Sequence, residues 1–257
     1  MRHIFPQQKT WIPLLALLVA GGLGSCHGQV ETLPTRAFEL PEYGQQEDIV
    51  SHVGYTASYN HTTLCPDWVA WELTAEEVGG NAGGKYSFSW DPAVDFPKAS
   101  REDYARSGYD KGHMAPRADM RWSEQALEES YYFSNVCPQD HELNSGVWRK
   151  IEELTRRMAR HYGRAWVVCG PVYDSVGGRR IGEAGVHVPD RFFKAIVVKE
   201  GETYHAIGFL VDNSPQTGAP QSYAVSVDSV EAAIGRDLFP GLPEDVEATF
   251  EWRPWNK

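Results

Sequence analysis

The segment "GYDKGHMAPRADMRW" (108–122) holds a histidine behind a glycine, with opposite charges on both sides. Imidazole can take a proton near neutral pH without a large pKa shift, so His113 is a candidate general base for activating water. Two further polar segments follow, "SNVCPQ" (134–139) and "LNSGVWRKIEE" (143–153). They add the carboxamides of Asn135 and Asn144 and the carboxylate of Glu152. Mg²⁺ prefers oxygen ligands and keeps several waters, so one carboxamide oxygen plus outer contacts can hold it. Lys111, Arg149, Arg156 and Arg160 are local cations able to neutralise phosphates. Gly112 lacks a side chain and would let a large substrate approach the backbone.

Each residue also has a plainer reading. Asn144 can cap the helix that starts there, and Asn135 can hydrogen-bond a turn. Glu152 can pair with Arg156 at i,i+4. On an α-helical wheel Glu152 stands about 80° from Asn144, close enough to share a hydrated ion but not the same inner position. A zinc set of His113, Cys137 and His141 is a weaker alternative, because C-x₃-H alone specifies little.

The elements that must position these groups can be read from pattern. "DWVAWEL" (67–73) and "YYFSNV" (131–136) read as strands, and residues 81–97 as a loop with a short strand. Ser123 can cap "EQALEES". An amphipathic helix is predicted from Ser145 to His161, with Val147, Trp148, Ile151, Leu154, Thr155 and Met158 on one face. Strands follow at 165–170, 192–198, 204–211 and 222–227, and Asp228 with Glu231 suggests a capped helix over "SVEAAIG". Without βαβ regularity the order implies an α+β class.

Residues 1–25 resemble a lipoprotein signal peptide: Arg2 and Lys9 precede the apolar "WIPLLALLVAGGLGS", and "LGSC" resembles a lipobox ending at Cys26. Cys26 is then the lipid-bearing residue. This implies a membrane partner through a lipid anchor and a place in the cell envelope, on the periplasmic or extracellular face. Residues 26–52, polar with Pro34 and Pro41, read as a tether, and 53–250 as the folded domain. The formal charge of -11 becomes -13 without Arg2 and Lys9, which argues against loose binding of nucleic acid over the whole surface. The charge is uneven. Six Lys/Arg stand against two Glu over 144–164, and one Arg against seven Asp/Glu over 226–251, so a local basic site fits inside an acidic shell. Of Cys65, Cys137 and Cys169, at most two can pair with each other.

"YDKGHMAPRADMRWS", "YYFSNVCPQ", "LNSGVWRKIEEL" and "VVCGPVY" together resemble the DNA/RNA non-specific endonucleases, the ββα-metal (His-Me finger) nucleases related to endonuclease G. The likeness runs over about residues 50–245 and includes "VPDRFFKAIV" and "YAVSVDSVE". It implies a mixed, mainly antiparallel central sheet with flanking helices and a ββα-metal finger. It also implies hydrolysis of DNA and RNA to 5′-phosphate and 3′-hydroxyl ends with Mg²⁺, or Mn²⁺ in its place. By position, His113 resembles the base that deprotonates water, and Asn144 the single protein ligand of a largely hydrated cation. Asn135 resembles the residue that orients the histidine or nearby water, and Glu152 an outer partner of the cation's hydration shell. Lys111 stands where the family has arginine, so the charge remains but the planar fork is lost. Lys85 takes the place of an upstream basic residue, and Arg149 and Arg156 are further substrate-binding candidates. The alternative function is a catalytically weakened nucleic-acid-binding lipoprotein of the same fold.

Overall fold

The computed structural model describes residues 37–174 and 178–248. The signal segment 1–25 and Cys26 lie outside the described residues, as does the tether up to residue 36.

In chain order the strands are β1 (Asp48–Ser51), β2 (Thr56–Asn60), β3 (Cys65–Thr74), β4 (Asp110–His113), β5 (Val136–Gln139) and β6 (Arg164–Val172). They continue with β7 (Arg180–Ile181), β8 (Val186–His187), β9 (Arg191–Glu200), β10 (Thr203–Asp212) and β11 (Ala224–Val225). Seven of them form one sheet in the order β1-β2-β3-β6-β9-β10-β11. Every neighbouring pair in it is antiparallel. The helices are α1 (Ala75–Val78), α2 (Glu124–Glu129), α3 (His141–Leu143), α4 (Arg149–Tyr162), α5 (Val227–Ile234) and α6 (Glu244–Glu247). The α+β class with its antiparallel sheet is therefore as the sequence implies.

Alternation in the strands feeds two cores, one on each sheet face. Val69, Trp71 and Leu73 of β3 join Val167 of β6 and Ile151, Leu154 and Met158 of α4 in one. Trp68 and Ala70 join Phe193, Ala195 and Val197 of β9 with Val227 and Val230 of α5 in the other. α4 thus lies against one face and α5 against the opposite one.

Several boundaries differ from the expectations. The tether does not extend to residue 52. Phe38 packs 4.8 Å from Trp166, Val50 is buried, and β1 pairs with β2. Apolar contacts and strand pairing outweigh the polar composition of this stretch. The strand expected over 131–136 is a 3₁₀ turn at Phe133–Asn135 leading into β5. Loop 81–97 contributes only an isolated bridge, Ser89 to Tyr132. Ser123 caps α2 as expected, its side chain accepting from Ala126 N. The cap of α5 is Ser226 rather than Asp228, because the Ser226 side chain accepts from Ser229 N.

Candidate active site

β4 is the DKGH tetrapeptide itself, and it forms a two-stranded ribbon with β5. After a short connection the chain enters α3, passes through a π turn at Asn144–Trp148 and continues as α4. Strand, strand and helix are therefore contiguous in space, as a ββα finger requires. Gly112 is needed for packing, not for approach of substrate. A Cβ there would meet Gln139 Oε1 at 2.3 Å and Gln139 Cβ at 2.6 Å.

His113 ends β4. Its ring contacts Phe88 at 5.1 Å and stands edge-on to Tyr131 at 5.2 Å. Nε2 is buried and makes no hydrogen bond. Burial in this aromatic setting, with the nearby charge of Arg117, lowers its pKa to about 4. The imidazole is accordingly neutral at pH 7 and keeps a nitrogen able to accept a proton. Lys111, two residues earlier in the strand, places Nζ 5.6 Å from the Phe88 ring and 5.6 Å from that of Tyr104. Phe88 is thus a shared neighbour of Lys111 and His113.

Asn144 is not a helix N-cap but follows the last residue of α3; Asp140 fills the N-cap role, accepting from Glu142 N and Leu143 N. Asn144 Nδ2 instead donates to Asp110 Oδ2 at 2.9 Å. A carboxylate can only accept, so this bond fixes which end of the amide is nitrogen and leaves Oδ1 for another partner. The same Asp110 oxygen binds His141 Nδ1 at 2.8 Å and raises the pKa of that exposed imidazole. Sequence reading assigned Asp110 no role, although it stood inside the motif. Its signal was a carboxylate in the same strand as the candidate base.

The π turn, kinked at Gly146, also changes the phase of the helix. Because the backbone is non-helical at Gly146, the 80° of a continuous wheel does not relate Asn144, before the kink, to Glu152, after it. Glu152 is half-buried, and burial pushes its pKa up to about 7. Lys194 and Arg156 oppose that shift, while Asp119 and Glu153 reinforce it.

The side chain of Asn135 is engaged by backbone groups. Its Oδ1 accepts from Ala115 N at 2.8 Å, and its Nδ2 donates to Ala115 O and Ser130 O, both at 2.9 Å. It is wholly buried and clasps the backbone after His113 rather than touching the imidazole. Arg156 is also reassigned. Its Nη1 donates to the buried Asp119 Oδ1 at 2.8 Å, and its side chain is only 14% exposed, so it belongs to an internal ion pair rather than to a phosphate-facing surface. Arg149 is exposed, paired with Glu153 one turn on. Lys85 is exposed in the loop leading to Phe88, and no contact joins it to His113. Gln139, which sequence reading passed over, is fully buried with both amide atoms unpartnered beside β4.

These donors are of the kind that suits a hard, hydrated divalent cation: an amide oxygen left free by a fixed amide, and a carboxylate in the first turn of the helix that follows. The soft zinc set is not assembled. Cys137 is wholly buried, whereas the His141 side chain is 74% exposed against Asp110. Cys65, Cys137 and Cys169 are all free.

Residues 33–245 match the DNA/RNA non-specific endonuclease family. The chain belongs to that family. Among proteins it resembles, the mitochondrial nuclease EXOG of Danio rerio is 34% identical over 221 residues, covering 80% of this chain and 64% of that protein. Mitochondrial endonuclease G of Bos taurus is 29% identical over 247 residues, covering 90% of this chain and 82% of that protein. The crystal structure of an EndoG/EndoGI complex superimposes with a TM-score of 0.76 at 30% identity, covering 82% of this chain and 93% of that one. The chain thus spans under two thirds of the EXOG proteins and most of endonuclease G.

Proposed function

We propose that this member of the endonuclease family is a Mg²⁺-dependent enzyme that hydrolyses phosphodiester bonds of both DNA and RNA, leaving 5′-phosphate and 3′-hydroxyl ends. One observation carries the reading. A neutral His113 with a free, buried Nε2 ends the same four-residue strand whose Asp110 fixes the amide of Asn144. A proton acceptor and an oxygen ligand are thereby held on one rigid element, which is what water activation beside a cation needs.

In this mechanism the His113 imidazole takes the proton of the attacking water as the water oxygen bonds to phosphorus; the P–O3′ bond breaks, and the 3′ oxygen takes a proton from solvent and leaves as the hydroxyl. Asn144 Oδ1 would be the protein's ligand to the cation, and Glu152 would accept hydrogen bonds from water held by it. The cation, when bound, neutralises charge on the nonbridging and leaving oxygens. Lys111 holds the substrate phosphate electrostatically, with Arg149 and Lys85 as outer cations. Contacts of this kind engage the sugar-phosphate chain rather than base edges, so selectivity for sequence or sugar is low.

The test uses the full-length protein in detergent, with plasmid and with RNA, in Mg²⁺ or EDTA. Cleavage of both substrates in Mg²⁺ and its loss in His113→Ala are expected. Tight binding without cleavage in Mg²⁺ or Mn²⁺ sinks the enzymatic reading in favour of a weakened binder. Cleavage of DNA alone sinks the claim for RNA. The enzyme acts from the cell envelope through a lipid on Cys26, supported by the apolar run and "LGSC". Incorporation of labelled fatty acid that persists in Cys26→Ser would overturn this placement.

A further inference from the structure

The stretch "KYSFSW" (85–90) carries an aromatic ring at every second residue. Its backbone is extended at Ser89, whose N donates to Tyr131 O at 3.2 Å and whose O accepts from Phe133 N at 3.0 Å. Side chains alternate along such a stretch, so Tyr86, Phe88 and Trp90 make one row. The Tyr86 and Phe88 rings both meet Tyr131, at 6.0 and 5.1 Å, and Phe88 also meets His113 at 5.1 Å. The row thus passes the candidate base and ends at Trp90.

Trp90 does not finish in the core. It is 52% exposed and meets Phe96, itself 67% exposed, edge to face with ring centres 5.4 Å apart. Lys98 Nζ lies 4.8 Å from the Phe96 ring centre and 5.9 Å from that of Trp90, and donates to Asp91 O and Val94 O at 2.9 and 2.7 Å. Asp91 braces the same turn from within. Its Oδ2 accepts from His52 Nε2 at 2.8 Å and from Ser134 Oγ, and its Oδ1 accepts from Ala93 N at 2.8 Å. Single exposed apolar residues are ordinary on any surface. Two rings in mutual contact, on a braced turn two residues from a ring that touches His113, are open surface held ready for a flat partner.

We propose that Trp90 and Phe96 form a stacking platform for an unpaired base of the substrate strand whose scissile phosphate lies at His113. This rests on the nuclease reading above. A nucleobase offers uncharged π faces, the partner that an exposed indole or phenyl ring takes. Every base has them, so the contact adds affinity without sequence preference. Cations flank the row in a chain of net charge -11: Lys85 is exposed at its start, and Lys111 Nζ lies 5.6 Å from the Phe88 ring centre. They suit the phosphates of the same strand. At the far end the exposed Asp95 disfavours phosphate, which leaves the rings to the base rather than to the backbone. In a duplex both faces of each base are covered by its neighbours. The platform therefore favours single strands over duplex.

The experiment compares oligothymidylate with its duplex on oligodeoxyadenylate, using the full-length protein in detergent. Binding of the fluorescent strand is read by anisotropy in the His113→Ala background with Mg²⁺, and kcat/KM in the otherwise wild-type protein. Trp90→Ala should weaken single-strand binding about tenfold and raise KM for the strand by a similar factor, with kcat little changed. Trp90→Phe, which keeps a ring, should lose less than about threefold. Binding and cleavage of the duplex should change less than about twofold with either variant. A strand of abasic deoxyribose phosphates should bind alike with and without Trp90→Ala, because it has nothing to stack. Equal losses on strand and duplex, a loss that persists on the abasic strand, or no loss on the strand overturns the proposal. A change of oligomeric state in Trp90→Ala, read by sedimentation, assigns the patch to a second copy of the chain and overturns it likewise. If Trp90→Ala does not fold, Phe96→Ala decides by the same comparison. Should the wild type cleave neither substrate, the nuclease reading falls, and binding by His113→Ala still decides the platform.

Discussion

Two segments flank β5, and each presents an asparagine. Before the strand, Asn135 makes three hydrogen bonds to backbone groups of Ala115 and Ser130 and is sealed from solvent. After it, Asn144 makes one, to Asp110, and keeps its carbonyl oxygen uncommitted. His113 resembles the second case, with Nε2 buried and unpartnered. Saturated polar groups hold the backbone in place. Groups with spare bonding capacity, fixed by a neighbour, are the ones able to bind or react.

The sharpest way to break this contrast is to remove the spare groups. His113→Ala should reduce kcat/KM by about 10³-fold, within the usual range for a lost general base. Its thermal midpoint should stay level or rise, because a buried unpaired nitrogen disappears. Asn144→Ala should cost about 10²-fold and shift the Mg²⁺ dependence to higher concentration, again with little change in melting. Asn135→Ala should behave in the opposite way. Losing three hydrogen bonds and stranding their backbone partners costs about 3 kcal/mol, or a fall of about 10 °C in a domain of this size. Activity per folded molecule should hold. If Asn135→Ala melts normally but loses turnover, the division between clasp and ligand fails.

A pH series sharpens the comparison at His113. Its folded pKa, about 4, lies below the unfolded value near 6.5. The unfolded chain therefore binds the extra proton first as pH falls. Stability tied to the neutral ring is complete above pH 6.5 and is lost progressively toward pH 4. Between pH 7 and 4.5 the wild type should lose about 2–3 kcal/mol more than His113→Ala, measured by urea unfolding. Parallel losses in the two proteins would show that the ring titrates as freely when folded as when unfolded.

What could be read beforehand followed from local rules. The alternating run that became β3 was visible because burial on a sheet face repeats every two residues, and the short apolar runs that became β6, β9 and β10 because strands buried on both faces read as continuous apolar stretches. His113, Asn144 and Glu152 were visible because their types suit hydrolysis beside a cation. Residues whose meaning depends on distant partners were not. Arg156 looks like any surface arginine until Asp119, 37 positions earlier, is found against it. Gly112 suggests an open approach until Gln139 is seen filling the space beside it. Lys194 breaks an apolar run without announcing the tryptophans on either side. The kink at Gly146 was invisible for a different reason: sequence periodicity assumes an unbroken helix of 3.6 residues per turn, and a non-helical residue breaks that phase.

The smallest predicted effect concerns Lys111, a residue whose charge is in place but whose shape departs from the family's arginine. Its ammonium rests between the rings of Phe88 and Tyr104, at 5.6 Å from each. A guanidinium could lie flat in that slot, because its plane stacks on aromatic faces while its edge stays free. It would then offer a phosphate two parallel N–H donors in place of one point charge. Lys111→Arg should accordingly raise kcat/KM about three- to tenfold, with most of the gain in kcat if the second bond strengthens in the transition state. A gain confined to KM would place the fork on the ground-state phosphate instead. Lys111→Met should lose far more than Lys111→Arg gains, since it removes the charge altogether. Equal rates for lysine and arginine would mean that this position contributes only its charge, and that geometry is supplied wholly by Asp110, Asn144 and His113.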